Sequence, residues 1–445
     1  MLGFLGNLHV PHHKNTAGMP AVKLNPTGEI LLPMSQHIGA PATPIVKAGD
    51  SVKVGQKIAE AGGFVSSPIY ATVSGKVVKI EPHLLPSGNT VDAIRIAPDG
   101  EMTPYEGISV PEISDLDGFV AAIRESGIVG LGGAGFPAAV KLLASKEGKI
   151  DTIVLNGSEC EPYITSDTRA MLDGAEWIYK GVLLFKKYLG VQNYIIGIEK
   201  NKPECIAKMK ETFAGVDGVK VAPLPSLYPQ GAEKVLIYNT MKRVVPEGKL
   251  PADVGVLVVN VSSLLALAKY IETGMPLVSR VITVDGNAIR EPKNVEAPIG
   301  TSVKELIDFA GGFVDEEDVG KILYGGPMMG ICIANISEPV MKTTGAILAF
   351  NEKSSAMEQA TACIHCGRCV SACPYDLDPT AFSAALAYRD QPTRIKLLQD
   401  AHIGLCMECG CCSYVCPAKR PLVQNNRLGK AEVRNYLAHQ QTLKK

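Results

Sequence analysis

Nine of the twelve cysteines fall within residues 363–416. They form two runs, Cys363-Ile-His-Cys366-Gly-Arg-Cys369-Val-Ser-Ala-Cys373-Pro374 and Cys406-Met-Glu-Cys409-Gly-Cys411-Cys412-Ser-Tyr-Val-Cys416-Pro417. Both fit C-x2-C-x2-C-x3-C-P, a spacing that holds cubane iron–sulfur clusters. Three thiolates so spaced wrap one face of a cluster on a tight turn. The fourth, expected to begin a helix pointing away, reaches the other cluster. Cys363, Cys366, Cys369 and Cys416 are thus assigned to one 4Fe-4S cluster, and Cys406, Cys409, Cys412 and Cys373 to a second. Cys411 is left over. A structural zinc site would use separated CxxC pairs, which does not account for two dense runs that each end in proline. His365 reads as a neighbour that tunes the first cluster, not as a ligand.

A second group is rich in glycine. Gly130-Leu-Gly132-Gly133-Ala134-Gly135-Phe136-Pro137 satisfies G-x-G-x-x-G. The dinucleotide fingerprint follows a strand, whereas residues 116–125 have helical periodicity, so that reading fails on context. The physics of the loop remains. Adjacent glycines let backbone approach a ligand, and a helix starting near Pro137 offers free N–H groups to a phosphate, with Lys141 one turn inside. A purely structural turn is the other reading. Further along, Asn156-Gly-Ser158-Glu159-Cys160-Glu161-Pro162-Tyr163 follows the apolar run 153–155. Polar groups at the carboxyl end of a strand are where α/β sheets bind ligands.

These groups need a large scaffold. The chain has 445 residues, enough for roughly three domains. Lys+Arg 44 against Asp+Glu 45 gives no electrostatic case for nucleic acid. Residues 1–13 contain Pro and His and lack the apolar core of a secretory signal. The apolar stretch 254–271 is interrupted by Asn260, Ser262, Ser263 and Lys269, and reads as a buried strand followed by a helix, not a membrane span. Clustered cysteines point to a reducing cytoplasm.

Residues 1–105 carry short alternating runs, such as 51–58 and 72–80, expected to be strands of a small β unit. In 106–275, apolar runs at 153–155, 194–198, 219–222 and 254–259 alternate with helical patterns at 168–189, 203–213 and 231–244, which argues for a parallel α/β sheet. Residues 280–332 return to short strands around turns such as Asp285-Gly286-Asn287. Residues 342–351 form a linker or closing strand, and from about 354 the chain is helical between cysteine clusters, with a helical segment at 379–400. The isolated Cys160, Cys205 and Cys332 read as small buried hydrophobes.

The motifs together resemble a family. GxGGAGFP…K followed by NGxExEPY resembles the NADH-binding flavoprotein subunit of complex I and its relatives, and NGSECEPY resembles the C subunits of Rnf-type ferredoxin:NAD+ oxidoreductases. The resemblance implies non-covalent FMN against Gly130, Gly132, Gly133, Lys141, Asn156, Ser158 and Glu159, with Phe136, Glu161 and Glu233 toward the nicotinamide nucleotide. Tyr228-Pro-Gln-Gly231-Ala232-Glu233 and Val259-Asn260-Val261 resemble two further family segments, adding Gly231 and Asn260. Departures are Ser158 in place of an Asp, Ala232 in place of a Glu, and Leu142 and Ala144 in place of aromatics. Residues 44–58 and 67–78 look like a lipoyl/biotinyl barrel-sandwich, with Gly62-Gly63-Phe64-Val65-Ser66 at the hairpin and no carrier lysine. The opening Gly-Asn-Leu-His-Val-Pro-His-His-Lys resembles the start of Rnf C subunits, which favours a docking segment over a metal site at His9, His12 and His13. Residues 280–332 resemble a β-grasp domain, whose Gly325-Gly326-Pro327-Met328-Met329-Gly330 reads as a packing turn.

The implied fold is multidomain α/β: a barrel-sandwich at 1–105, a Rossmann-like FMN/NAD(H) domain at 106–275, a β-grasp (SLBB) domain at 276–350 and an α-helical ferredoxin domain at 351–445. The implied activity joins NAD(H), which exchanges hydride, to clusters that carry single electrons, with a flavin able to do both. Glu159 and Glu161 then orient and polarise; no acid–base residue is required. Implied partners are other Rnf subunits, membrane-bound and ferredoxin-like, at the cytoplasmic face of a membrane. A cobalamin-reductase-like or amino-acid-reductase-linked carrier, or a wiring scaffold without nucleotide binding, would use similar parts. Anaerobically purified protein is expected to contain iron and acid-labile sulfide in equal amounts, as two cubanes require; a colorimetric assay finding no labile sulfide would refute the cluster assignment.

Overall fold

The computed structural model describes residues 8–443. The Gly6-Asn7 start of the histidine-rich opening, part of the 1–13 reading, and Lys444 and Lys445 lie outside them.

The four runs that promised a parallel sheet form one. Its order is Val219–Leu224, Asn193–Glu199, Thr152–Asn156, Val256–Asn260, every pairing parallel. The first three strands step outward in one direction, and the fourth returns to the other side of Thr152–Asn156. That reversal is a topological switch point, where crossover helices diverge and leave a crevice at the carboxyl ends. Asn156 and Asn260 are paired across it, and Gly197 is Asn156's partner on the other side. Strand Thr152–Asn156 is buried along almost its whole length, as a central parallel strand must be.

Helix Leu116–Glu125 buries Phe119, Val120 and Ile123 and is capped by Asp115, which accepts from Gly118 N at 2.8 Å. Residues 168–189, expected as one helix, form two, Ser166–Asp173 and Ala175–Leu189. The break is at Gly174, where a Cβ would lie 2.8 Å from the Ala170 carbonyl and 2.2 Å from Leu265 Cδ1 of helix Val261–Thr273. The 254–271 stretch is strand Val256–Asn260 followed by that helix, and no described helix is long and apolar enough to cross a membrane.

Two antiparallel sheets make the barrel-sandwich. One is Ile30–Pro33, Thr90–Pro98, Gly75–Leu84 and Ser51–Val52; the other is Thr43–Pro44, Lys57–Glu60 and Ile69–Tyr70. Ile30, Ile58, Ile69, Ile94 and Ile96 fill the space between them. A third, mixed sheet runs Val22–Lys23, Lys293–Pro298, Ser279–Asp285, Ala346–Asn351, Val319–Tyr324, Ile331–Ile333. Ala346–Asn351 is therefore an interior strand, parallel to one neighbour and antiparallel to the other. Val22–Lys23 pairs with Lys293–Pro298.

The cysteine-rich region is helical, but its 379–400 segment divides into Pro379–Leu386 and Gln391–Asp400, each capped by an aspartate. Both pack with the long helix Leu422–Leu443 around Phe382 and Leu398.

Lys342 ties three of these units together. Its buried ammonium donates to Ser67 Oγ at 3.2 Å, Pro68 O at 2.7 Å and Gly127 O at 2.8 Å. Burial pushes it down to about 7. Lys342→Met leaves those oxygens without a donor, at a cost of roughly 1–3 kcal/mol, and a lower thermal unfolding midpoint is the expected result.

Candidate flavin cleft and cluster module

The glycine loop reaches the crevice from the helix side. Gly130 N donates to Phe136 O at 2.8 Å and Gly135 N to Gly130 O at 3.1 Å, closing it on itself. Four other segments grip it. Ser263 Oγ accepts from Leu131 N at 2.8 Å, Arg280 donates to Leu131 O at 3.3 Å, and Ile38 N donates to Gly135 O at 3.1 Å. Thr343 is the fourth, with its methyl 2.7 Å from where a Cβ on Gly135 would sit. The amides of Gly132, Gly133 and Ala134 find no acceptor among the described residues and are exposed. Gly133 has φ +120°, and a Cβ there would enter open space, whereas one on Gly132 would meet Asn260 Nδ2 at 3.1 Å. Three free amides beside the switch-point crevice form a concavity suited to an anionic, planar ligand.

Asn260 caps helix Val261–Thr273 by accepting from Ser263 N at 3.2 Å, and donates to Asp167 Oδ2 at 2.7 Å. Ser262 donates to the other oxygen of Asp167. Asn156 donates to Gly231 O at 2.9 Å and accepts from Ser158 N at 3.0 Å, while Ser158 Oγ donates to Gly197 O at 3.3 Å. These bonds hold Asn156, Ser158 and Gly231 together. Phe136 is half-buried at the loop's exit. Lys141 and Glu233 face each other in an ion pair at 2.7 Å.

The two glutamates expected near the ligand are otherwise engaged. Buried Glu159 accepts from Asp167 N at 2.7 Å and from Thr168 Oγ1 at 2.7 Å, capping helix Ser166–Asp173, and burial raises its carboxyl. Glu161 accepts from Met328 N at 3.1 Å and Met329 N at 2.8 Å. Burial raises it to about 7, against the pull of those amides. The 325–330 turn is thus a packing turn that receives Glu161.

Sequence reasoning missed the residues beneath this loop. The Lys14 ammonium donates to Glu159 O at 2.8 Å, Glu161 O at 2.7 Å and Ile164 O at 2.6 Å, and desolvation lowers it. Lys202 adds a bond to Glu159 O at 3.2 Å and pairs with buried Glu199 at 2.6 Å. Isolated lysines carry no sequence signal. Asp167 had a weak one, an acid in a helix's first turn just after a polar motif. The opening segment packs on the rest of the chain: Leu8 and Tyr228 bond reciprocally, and His13 stacks on Tyr163 with centroids 4.8 Å apart. Cys205 is buried, but Cys160 is only half-buried and Cys332 is exposed.

The cysteines gather in the swapped sets. Cys363, Cys366, Cys369 and Cys416 line one hollow; Cys373, Cys406, Cys409 and Cys412 line another, together with Cys411. No three described His, Cys, Asp or Glu side chains converge as one metal ion requires. Backbone repeats match: His365 and Glu408, Gly367 and Gly410, Asp376 and Lys419 all have positive φ at equivalent positions. One-turn helices Arg368–Ser371 and Cys411–Tyr414 are also equivalent, so Cys411 stands where the first run has Arg368. The fourth cysteine follows this helix instead of beginning one, because the turn is needed to carry the chain across to the other hollow. Burial pushes the Cys373 thiol up to about 11 and Cys412 to about 12, so ionising them needs the charge of bound iron. The donor chemistry and paired hollows fit two clusters.

The hollows differ in surroundings. Cys409, Cys411 and Cys412 are buried on one side, against Cys369 alone on the other, and Tyr228, whose hydroxyl donates to Cys409 O at 2.8 Å and to Glu161 Oε1 at 3.5 Å, joins the first side to the 156–163 segment. Cys366 is exposed, as are Ile364 and Arg368.

Known proteins match along the chain in the same order. Residues 2–101 match the RnfC barrel sandwich hybrid domain, 123–269 the Nuo51 FMN-binding domain, and 281–331 the SLBB domain. Residues 358–420 and 333–378 match 4Fe-4S dicluster domains. The C subunit of the proton-translocating ferredoxin:NAD(+) oxidoreductase complex of Clostridium ljungdahlii is 44% identical, over 85% of this chain and 83% of its own. The chain belongs to the RnfC family. Another RnfC relative, the C subunit of the Na(+)-translocating ferredoxin:NAD(+) oxidoreductase complex of Acetobacterium woodii, is 42% identical over 84% of this chain and 85% of its own. An NAD+-reducing [NiFe]-hydrogenase crystal structure shares the fold, with TM-score 0.52 at 18% identity over 72% of this chain and 63% of that one.

Asn260→Ala removes a cap worth about 1 kcal/mol and the support beneath Gly132. FMN affinity measured by fluorescence quenching is expected to fall about tenfold, the equivalent of 1.4 kcal/mol.

Proposed function

We propose that this chain is the NAD(H)-facing subunit of an ion-translocating ferredoxin:NAD+ oxidoreductase, exchanging electrons between NAD(H) and a partner's one-electron carrier. The observation that carries the reading is spatial order. Tyr228 bonds Glu161 Oε1 at 3.5 Å and Cys409 O at 2.8 Å, so the 156–163 segment of the crevice adjoins the hollow of Cys373, Cys406, Cys409 and Cys412, while Cys366 of the other hollow is exposed. FMN, when bound, accepts or donates hydride on one side and single electrons on the other.

The chain's residues supply the rest. Free amides of residues 132–134 and the Lys141 ammonium hold the flavin's polar and anionic parts, Lys141 exchanging Glu233 for phosphate. Asn156, Ser158, Gly231 and Asn260 shape the crevice wall. Phe136 and Glu233 border the side open to the nicotinamide nucleotide. Glu159 and Glu161 act by positioning: one fixes the helix that carries Asp167, the other fixes the turn beside the cluster module. Cys363, Cys366, Cys369 and Cys416 ligate the outer cluster; Cys373, Cys406, Cys409 and Cys412 ligate the inner one.

The outer rim is where another subunit docks. Ile364, His365 and Arg368 are exposed around Cys366, an apolar and basic surface suited to an acidic, ferredoxin-like partner. With such partners the chain works at the cytoplasmic face of a membrane, held by other subunits. The functional division falls at 1–105, 106–275, 276–350 and 351–445. The sequence-level departures at Ser158 and Ala232 leave the crevice intact, Ser158 bonding Gly197 as described.

Adding NADH anaerobically to FMN-loaded protein is expected to bleach the flavin absorbance and support ferricyanide reduction. Absence of both would replace this reading with a wiring scaffold.

A further inference from the structure

Helix Leu422–Leu443 lies against the inner cysteine set, and one stripe of it faces those sulfurs. Val423 and Asn426 of this helix line the inner hollow, and Lys430 lies one turn beyond Asn426 on the same face. Lys430 donates to Cys406 O at 2.8 Å and to Glu408 at 2.6 Å, fixing the helix to the cysteine loop. Asn426, 2% exposed, turns its amide nitrogen toward Cys406 Sγ at 3.4 Å and Cys412 Sγ at 3.9 Å. Its oxygen is buried with no partner. An asparagine whose side-chain bonds among the described residues are all to sulfur, at the expense of an orphaned oxygen, is oriented by those sulfurs.

We propose that Asn426 sets the reduction potential of the inner cluster through side-chain hydrogen bonds to two of its thiolates. This rests on the assignment of Cys373, Cys406, Cys409 and Cys412 as ligands. Reduction adds negative charge that the thiolates share, so a donor aimed at them stabilises the reduced state and raises the potential. The outer set has no equivalent: among the described residues its sulfurs accept from the backbone, as His365 N does to Cys363 Sγ at 3.4 Å, and from no side chain. Burial alone would hold the inner cluster below the exposed one, because a dry site opposes added charge. Asn426 offsets this and brings the two potentials closer, so an electron crosses between them without a deep trap on either side.

The test is an EPR-monitored redox titration of the full-length, anaerobically purified protein with dithionite. A dysprosium chelate speeds relaxation of the exposed cluster and so tells the two signals apart. In Asn426→Leu the ratio of reduced to oxidised inner cluster at a given potential is expected to fall about tenfold, about 59 mV for one electron. Asn426→Asp, which puts a charge where the donor was, shifts further the same way, and the outer cluster keeps its midpoint. An unchanged inner midpoint in Asn426→Leu overturns the proposal. Should the variants lose the inner cluster, pulsed EPR on wild-type protein carrying 15N in asparagine side-chain amides decides: a 15N coupling on the inner signal supports the proposal, and its absence overturns it. Wild-type protein with a single cluster signal and half the iron refutes the ligand assignment itself, and the proposal with it.

Discussion

A loop that must lie against a cofactor cannot satisfy its own backbone, and almost everything in this protein answers that constraint. Residues 130–136 and 156–165 are irregular, and their carbonyls would be stranded within the protein without donors. The donors are long cationic side chains from elsewhere. Arg280 reaches Leu131 O, and Lys14 and Lys202 converge on Glu159 O. Desolvation lowers Lys14 and brings Arg280 down to about 10, a cost borne because each cation satisfies carbonyls that nothing nearer could reach. The sheet supplies the crevice; these cations make its walls rigid.

The same logic extends to the cluster module. Its two halves repeat one backbone pattern down to individual left-handed residues, yet their environments have diverged. Where one half presents Arg368 to solvent, the other buries Cys411 among Val10, Tyr228 and Cys160. A symmetric device has become directional by being packed against the rest of the chain on one side only. Tyr228 makes that contact directly by bonding Cys409 O, whereas Glu161 holds the 325–330 turn whose Met328 carbonyl approaches Gly410.

Much of this was readable in the sequence, for identifiable reasons. The parallel strands announced themselves as short apolar runs, and the doubled cysteine spacing marked the two halves of the helical module. Elements failed where tertiary contact overruled local pattern. The helical periodicity across 168–189 is continuous, but the helix breaks at Gly174, where a Cβ would crowd the Ala170 carbonyl and Leu265. The strand Ala346–Asn351 read ambiguously because an interior strand is apolar throughout and carries no alternation. The site was legible as motifs and illegible as a network. Lys14 lies far in sequence from the segment it supports, and nothing in the motif around Glu161 announces its bonds to Met328 N and Met329 N. Cys332 was read as buried, yet its short strand is an edge of the mixed sheet, exposed on one side.

The opening segment also shapes how the protein is made. Asn15 bonds Asp285, 270 residues away, and Thr16 and Met19 accept from Asn294. Domains ordinarily fold as they emerge during synthesis, earliest first. Here residues 8–24 emerge early but find their places only after the mixed sheet has been translated. They then pack beneath the 159–164 segment of the crevice, whose carbonyls Lys14 bonds. The cavity therefore stands unfinished through most of translation, and its completion is a late event in the protein's biogenesis.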